Sequence, residues 1–205
     1  MTRIKLVSDE EADDEYKEIF RWGREMAGTV PNHFRLEANS PVYKWISKAE
    51  KILWDGIGNL SPKVVGHIFV AISLANNCTY CAGAGCSVLA GRGESKYSLK
   101  YRTDEAKLRA FLRDVDEGDL DEREKLAVKL ALKAHEDPHS ISGADLKKLR
   151  ENGYTDMDLL NIVHMVDVTS FSNRTNIVFD TDYDHLWPLK DIPKNLVPHI
   201  PHKIR

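Results

Sequence analysis

The chain has 205 residues, enough for one domain with a sizeable core and no need of covalent staples. Apolar residues make up 42% and charged residues 30%, with a mean hydropathy of −0.42, a composition that excludes a membrane-embedded or a disordered chain. Lys and Arg number 29 against 32 Asp and Glu, so the net charge is −3; a nucleic-acid binder would carry a basic excess.

No run approaches the roughly 18 uninterrupted apolar residues of a membrane span. The N-terminal residues lack an apolar signal region, so the chain reads as cytoplasmic. Helix follows helix along it. Ser8 and Glu11 have the spacing of a capping box ahead of Tyr16, Ile19, Phe20 and Trp22, which predicts a helix to about Gly28. Val30-Pro31-Asn32 breaks it. Ser40-Pro41 and Ser61-Pro62 each open a further helix, since proline suits the first helical position. The first ends at Gly56; the second, apolar nearly all round, ends at Asn76-Asn77.

Residues 78–90 are small and apolar and predict another helix, weakened by Gly83 and Gly85. A basic, irregular connection from Gly91 to Arg102 follows. Thr103 caps the next helix, Asp121 opens one to about Ala134, Ser142 with Asp145 one closed by Gly153, and Thr155 with Asp158 a long one to about Asp180. From Trp187 to Arg205 the prolines at 188, 193, 198 and 201 forbid a helix. The expectation is a single all-α domain over residues 1–186 and an extended C-terminal arm over 187–205. Leu189, Ile192, Leu196, Val197 and Ile200 on that arm need cover, for which a second copy of the chain is the economical source. Acidic runs at 9–18 and 114–124 read as solvated helix faces. Trp22, Trp45, Trp54 and Trp187 read as core and interface anchors.

All three cysteines fall within nine residues: Cys78, Cys81 and Cys86. A disulfide framework would be even in number and dispersed. At a helix start, residues three apart share a face, and the helix N-terminus favours a thiolate. Cys78-x-x-Cys81 therefore reads as a reversible dithiol. Buried free cysteines, a thioredoxin-like motif and a zinc site remain alternatives, although zinc wants a second pair and the thioredoxin motif follows a strand. Cys86 lies about 140° further round the helix and reads as core.

Four segments carry a resemblance to a known family: "TVPNHFRLEANSP" at 29–41, "GNLSPKVVGHIFVAISLANNCTYCAGAG" at 58–85, "LDEREKLAVKLALKAHEDPHSISGADLKKLRENGYTDMDLLNIV" at 120–163, and Asn173-Arg174. They resemble the carboxymuconolactone decarboxylase superfamily, in its AhpD-like, peroxidase-related alkylhydroperoxidase branch. The resemblance implies an AhpD-like helical fold, self-association as a dimer or higher homo-oligomer, and thiol-dependent reduction of a small-molecule hydroperoxide. It assigns attack to Cys81 and resolution to Cys78, with an external dithiol protein as reductant and neither cofactor nor metal.

Two positions depart from the family pattern. The proton-relay glutamate, twelve residues before the first cysteine, is Gly66 here; the relay histidine, four after the second, is Gly85. His67 and the pair His164 and Asp167 are candidate substitutes, the last two sharing a face of the long helix with Phe171 and Arg174. His33, His135, His139, His185, His199 and His202 read as surface residues. Without the relay, Cys81 is expected to titrate near or slightly below the free thiol value of about 8.5. Two other readings stay open. The glycines could enlarge the pocket into a ligand-binding or assembly protein, or His164 and Asp167 could serve a decarboxylase-like lyase.

Overall fold

The computed structural model describes residues 1–92 and 102–193. The expected arm beyond Pro193, with Leu196, Val197, Ile200, His199 and His202, and most of the basic connection after Arg92 lie outside the described residues. Among those described there are nine α-helices and no strand: α1 (Asp14–Ala27), α2 (Asn32–Glu37), α3 (Tyr43–Asp55), α4 (Pro62–Ala75), α5 (Thr79–Leu89), α6 (Glu105–Phe111), α7 (Glu122–Glu136), α8 (Gly143–Glu151) and α9 (Asp156–Phe179).

Side-chain caps set most of the starts. Ser61 accepts from the Val64 amide, with Pro62 at the first helical position. Asp121 with Glu124, Ser142 with Asp145 and Thr155 with Asp158 form reciprocal capping boxes on α7, α8 and α9. Three starts differ from expectation. Ser40-Pro41 leads into a turn, and α3 begins only at Tyr43 with no side-chain cap. Ser8 and Glu11 do exchange hydrogen bonds, but they close a turn, and α1 begins later on Asp13, which accepts from Tyr16. Asp104 rather than Thr103 caps α6, because the Thr103 side chain is buried. The six-residue α2 fills what the Pro31 break suggested was irregular.

Helix α4 is the centre of the molecule. Val64, Val65, Ile68, Phe69, Val70 and Ile72 are all buried, and α3, α5, α7 and α9 pack around it. At its end, Asn77 adopts a left-handed conformation (φ 56°) that turns the chain straight into α5. The described start of the C-terminal arm docks on its own domain. Trp187 is fully buried beneath the guanidinium groups of Arg92 and Arg109, its amide donates to Ser87 Oγ at 2.8 Å, and Ile192 is buried nearby. Arg109 also pairs with Asp191 at 3.0 Å. Trp22 and Trp54 are core as expected, whereas Trp45 is 74% exposed.

Candidate active site

Cys78 is the N-cap of α5. Its amide donates to the Ser73 carbonyl at 2.8 Å, and its Sγ accepts from the Cys81 amide at 3.4 Å. The two sulfurs are 2.8 Å apart and both residues are free thiols. The turn at Asn77 and the three-residue spacing together place both sulfurs at the start of one helix.

A polar seam from α4 and α9 surrounds them. Asn176 Nδ2 donates to Cys81 Sγ at 3.4 Å and to the Ser172 carbonyl at 2.8 Å. Asn173 Nδ2 donates to Ser73 Oγ at 3.1 Å, and Asn76 Nδ2 donates to Asn173 Oδ1 at 3.0 Å. Burial first, and then the adjacent Cys78 thiol, push the Cys81 thiol well above its ordinary range; the amides of Asn173 and Asn176 oppose this without overcoming it. The expectation of a near-normal Cys81 fails for that reason: desolvation outweighs the helix terminus. Cys86 is wholly buried, and burial raises its thiol beyond the normal range.

A cleft of about 260 Å³ reaches this site. Its lining is Ser73, Leu74, Asn77, Cys78, Thr79, Ile192 and Pro193, so the arm supplies one wall and Cys78 part of the floor.

The candidate relay residues do not converge on the sulfurs. His67 is fully buried on another face of α4, with Nδ1 2.7 Å from the Lys63 carbonyl and its ring edge-on to Phe111. Burial lowers its pKa to about 4, so it is neutral at pH 7. His164, Asp167 and Arg174 are exposed, while Phe171 is stacked on Tyr43. The buried face of α9 is the neighbouring stripe, Thr169, Ser172, Asn173 and Asn176, again at helical spacing. Sequence reasoning picked the charged stripe and missed the amide one, although Asn173 stood in the quoted resemblance.

The two glycines leave no space. A Cβ at Gly66 would come to 2.7 Å of Leu89 Cδ2 and 3.3 Å of the Trp54 ring; one at Gly85, to 2.6 Å of Val70 Cγ2 and 2.9 Å of Phe69. The expected enlargement of the pocket is therefore absent: α4 and α5 have closed over both positions. Gly83 similarly makes room for the Tyr183 ring.

Of the histidines expected at the surface, His33 is buried and His185 has a buried side chain on a half-buried residue. His33 is 7% exposed, and the His185 side chain is packed at 4.5 Å against the Tyr80 ring. Tyr80 Oη donates to Asp184 Oδ1 at 2.9 Å and accepts from the His33 amide at 3.1 Å. Burial lowers the pKa of His33 to about 3 and of His185 to about 4. His135 is half-buried and His139 exposed. Among the described residues, no three His, Cys, Asp or Glu side chains gather as a metal site requires, and no helix is long and apolar enough to cross a membrane.

No family model and no curated protein matches the sequence. Solved structures do match the fold. A peroxidase-related protein with an alkylhydroperoxidase AhpD core, from Ralstonia eutropha JMP134, superposes with TM-score 0.71 at 23% identity, over 89% of this chain and 92% of that one. A peroxidase-related protein from Silicibacter sp. TM1040 gives 0.68 at 22% identity, over 91% and 93%. The debrominase Bmp8, solved with 2,3,4-tribromopyrrole, gives 0.70 at 16% identity, over 90% and 92%. At these identities the likeness establishes the AhpD-like fold.

Proposed function

We propose that this AhpD-like chain is a thiol-dependent reductase that passes two electrons from the Cys78–Cys81 dithiol to an organic hydroperoxide. The observation that carries the reading is the pair of free sulfurs 2.8 Å apart at the start of α5, beneath a cleft whose walls include Leu74, Ile192 and Pro193. The dithiol and ROOH become a disulfide, ROH and water. An external dithiol protein then reduces the disulfide, and neither metal nor cofactor is needed. A homo-oligomer in the cytoplasm is the setting this reading takes.

With the family's relay positions filled by helix packing, proton transfer at the sulfurs falls to solvent and to the thiols themselves. Turnover is accordingly slow at neutral pH. The test is loss of free thiols on adding cumene hydroperoxide to the reduced protein. Two thiols consumed per peroxide supports the reading; thiols that persist at excess peroxide sink it.

One observation favours a second reading. Among the described residues no carboxylate or imidazole bonds either sulfur; if one thiolate takes bromine from R–Br while the carbon takes the other thiol's proton, the second sulfur then displaces bromide from S–Br, and that leaving group needs no acid. Reductive debromination, in which the dithiol and R–Br become a disulfide, R–H and HBr, fits such a site. Bromide release from a brominated pyrrole distinguishes it. The lyase reading loses its basis, because His164 and Asp167 lie in solvent.

A further inference from the structure

We propose that the two sulfurs have exchanged roles in this chain: Cys78 meets both the oxidant and the reductant, and Cys81 is the internal resolving thiol. The inference deepens the dithiol reading and rests on the cleft and the local hydrogen bonds. Of the two cysteines, Cys78 lines the cleft and Cys81 does not. Both cysteines are 2% exposed, so access depends on the cleft, which Cys78 lines together with Ser73, Asn77, Thr79, Ile192 and Pro193.

The local bonding fits the same order. Cys78 sits at the N-cap and accepts an amide N–H there, the position where a helix stabilises an anion. Cys81, in the first turn of the same helix, is closed in by Asn176 and by Cys78 itself. The 2.8 Å contact puts the Cys81 thiol within reach of whatever forms at the Cys78 sulfur, which is the position a resolving thiol needs.

The chemistry balances in this order. Cys78 gives its proton to solvent. Its thiolate attacks the terminal oxygen of ROOH; the S–O bond forms, the O–O bond breaks and RO⁻ leaves. RO⁻ takes the Cys81 proton and departs as ROH. The Cys81 thiolate attacks the Cys78 sulfenic sulfur, the disulfide forms, and hydroxide leaves to become water with the proton released first. A dithiol protein then attacks the Cys78 sulfur, the one the cleft reaches, and Cys81 leaves as the thiolate.

The experiment has two arms. Reduced wild-type protein is labelled briefly with iodoacetamide and the cysteine peptides are quantified by mass spectrometry. Cys78 should label at least about tenfold faster than Cys81; equal labelling, or Cys81 first, overturns the assignment. In the second arm, Cys81→Ser and Cys78→Ser are treated with cumene hydroperoxide and dimedone, which traps sulfenic acid. An adduct on Cys78 in Cys81→Ser, with none on Cys81 in Cys78→Ser, supports the exchange, and the reverse pattern overturns it. Preferred labelling of Cys78 with no adduct in either variant leaves the order standing and removes the hydroperoxide as substrate.

Discussion

Glu50 lies at the α3–α9 interface with 2% of its surface exposed, its Oε2 accepting from Tyr43 Oη at 3.2 Å, and Tyr43 Oη lies 3.5 Å from Ser172 Oγ. Burial raises the Glu50 pKa from 4.5 to about 7, against a smaller opposing effect of the Tyr43 hydrogen bond. A carboxyl whose folded pKa is raised binds its proton more tightly when folded. The stability it supplies is complete below the unfolded value and is lost as pH climbs through the folded one. From 4.5 to about 7, at roughly 1.36 kcal/mol per unit, the loss is about 3 kcal/mol. Glu50→Gln keeps the size and the acceptor but cannot ionise. Urea unfolding of wild type and variant at pH 5 and pH 8 measures most of it, and the variant should gain about 2–3 kcal/mol on wild type between the two, with m unchanged. Glu37, whose pKa burial raises to about 8, titrates in both proteins; the Glu50 charge adds to that rise, so its contribution shrinks in the variant in the same direction as the predicted gain. Parallel pH dependences for the two proteins would refute the reasoning.

Gly85→Ala drives a methyl group against Val70 and Phe69, two side chains with little room to yield. Overpacking of about 1–3 kcal/mol should outweigh the roughly 1 kcal/mol that alanine returns in helix propensity, so thermal unfolding should fall; an unchanged or raised midpoint would contradict the packing described. Asn176→Ala removes an amide donor from Cys81 Sγ. At about 1 kcal/mol for that bond, disulfide formation after peroxide should slow about fivefold, measured by quenched-flow thiol counting, while the iodoacetamide rate at Cys78 stays put.

Helix starts were open to sequence reasoning because a cap is a local event. Ser61, Asp121, Ser142 and Thr155 each act within three residues of themselves. The dithiol was legible for the same reason. What could not be read were outcomes set by distant chain. His33 and His185 look like surface residues until Asp184 and its neighbours fold back onto Tyr80, more than 100 residues earlier. Asn176 is an unremarked amide on a long helix until α4 and α5 bring Cys81 beneath it. The glycines were read as vacancies, because a missing side chain in sequence says nothing about whether a neighbour moves into its place.

That closure over Gly66 and Gly85 bears on how this site can change over generations. A glutamate arriving at 66 meets Leu89 and Trp54, and a histidine at 85 meets Val70 and Phe69. Neither group can be placed there by substitution without first unsettling the packing between α3, α4 and α5. Smaller residues at 89 and 70 would have to come earlier, and each alone leaves a void in the core. The packing thus acts as a ratchet that keeps an ionisable side chain out of both positions.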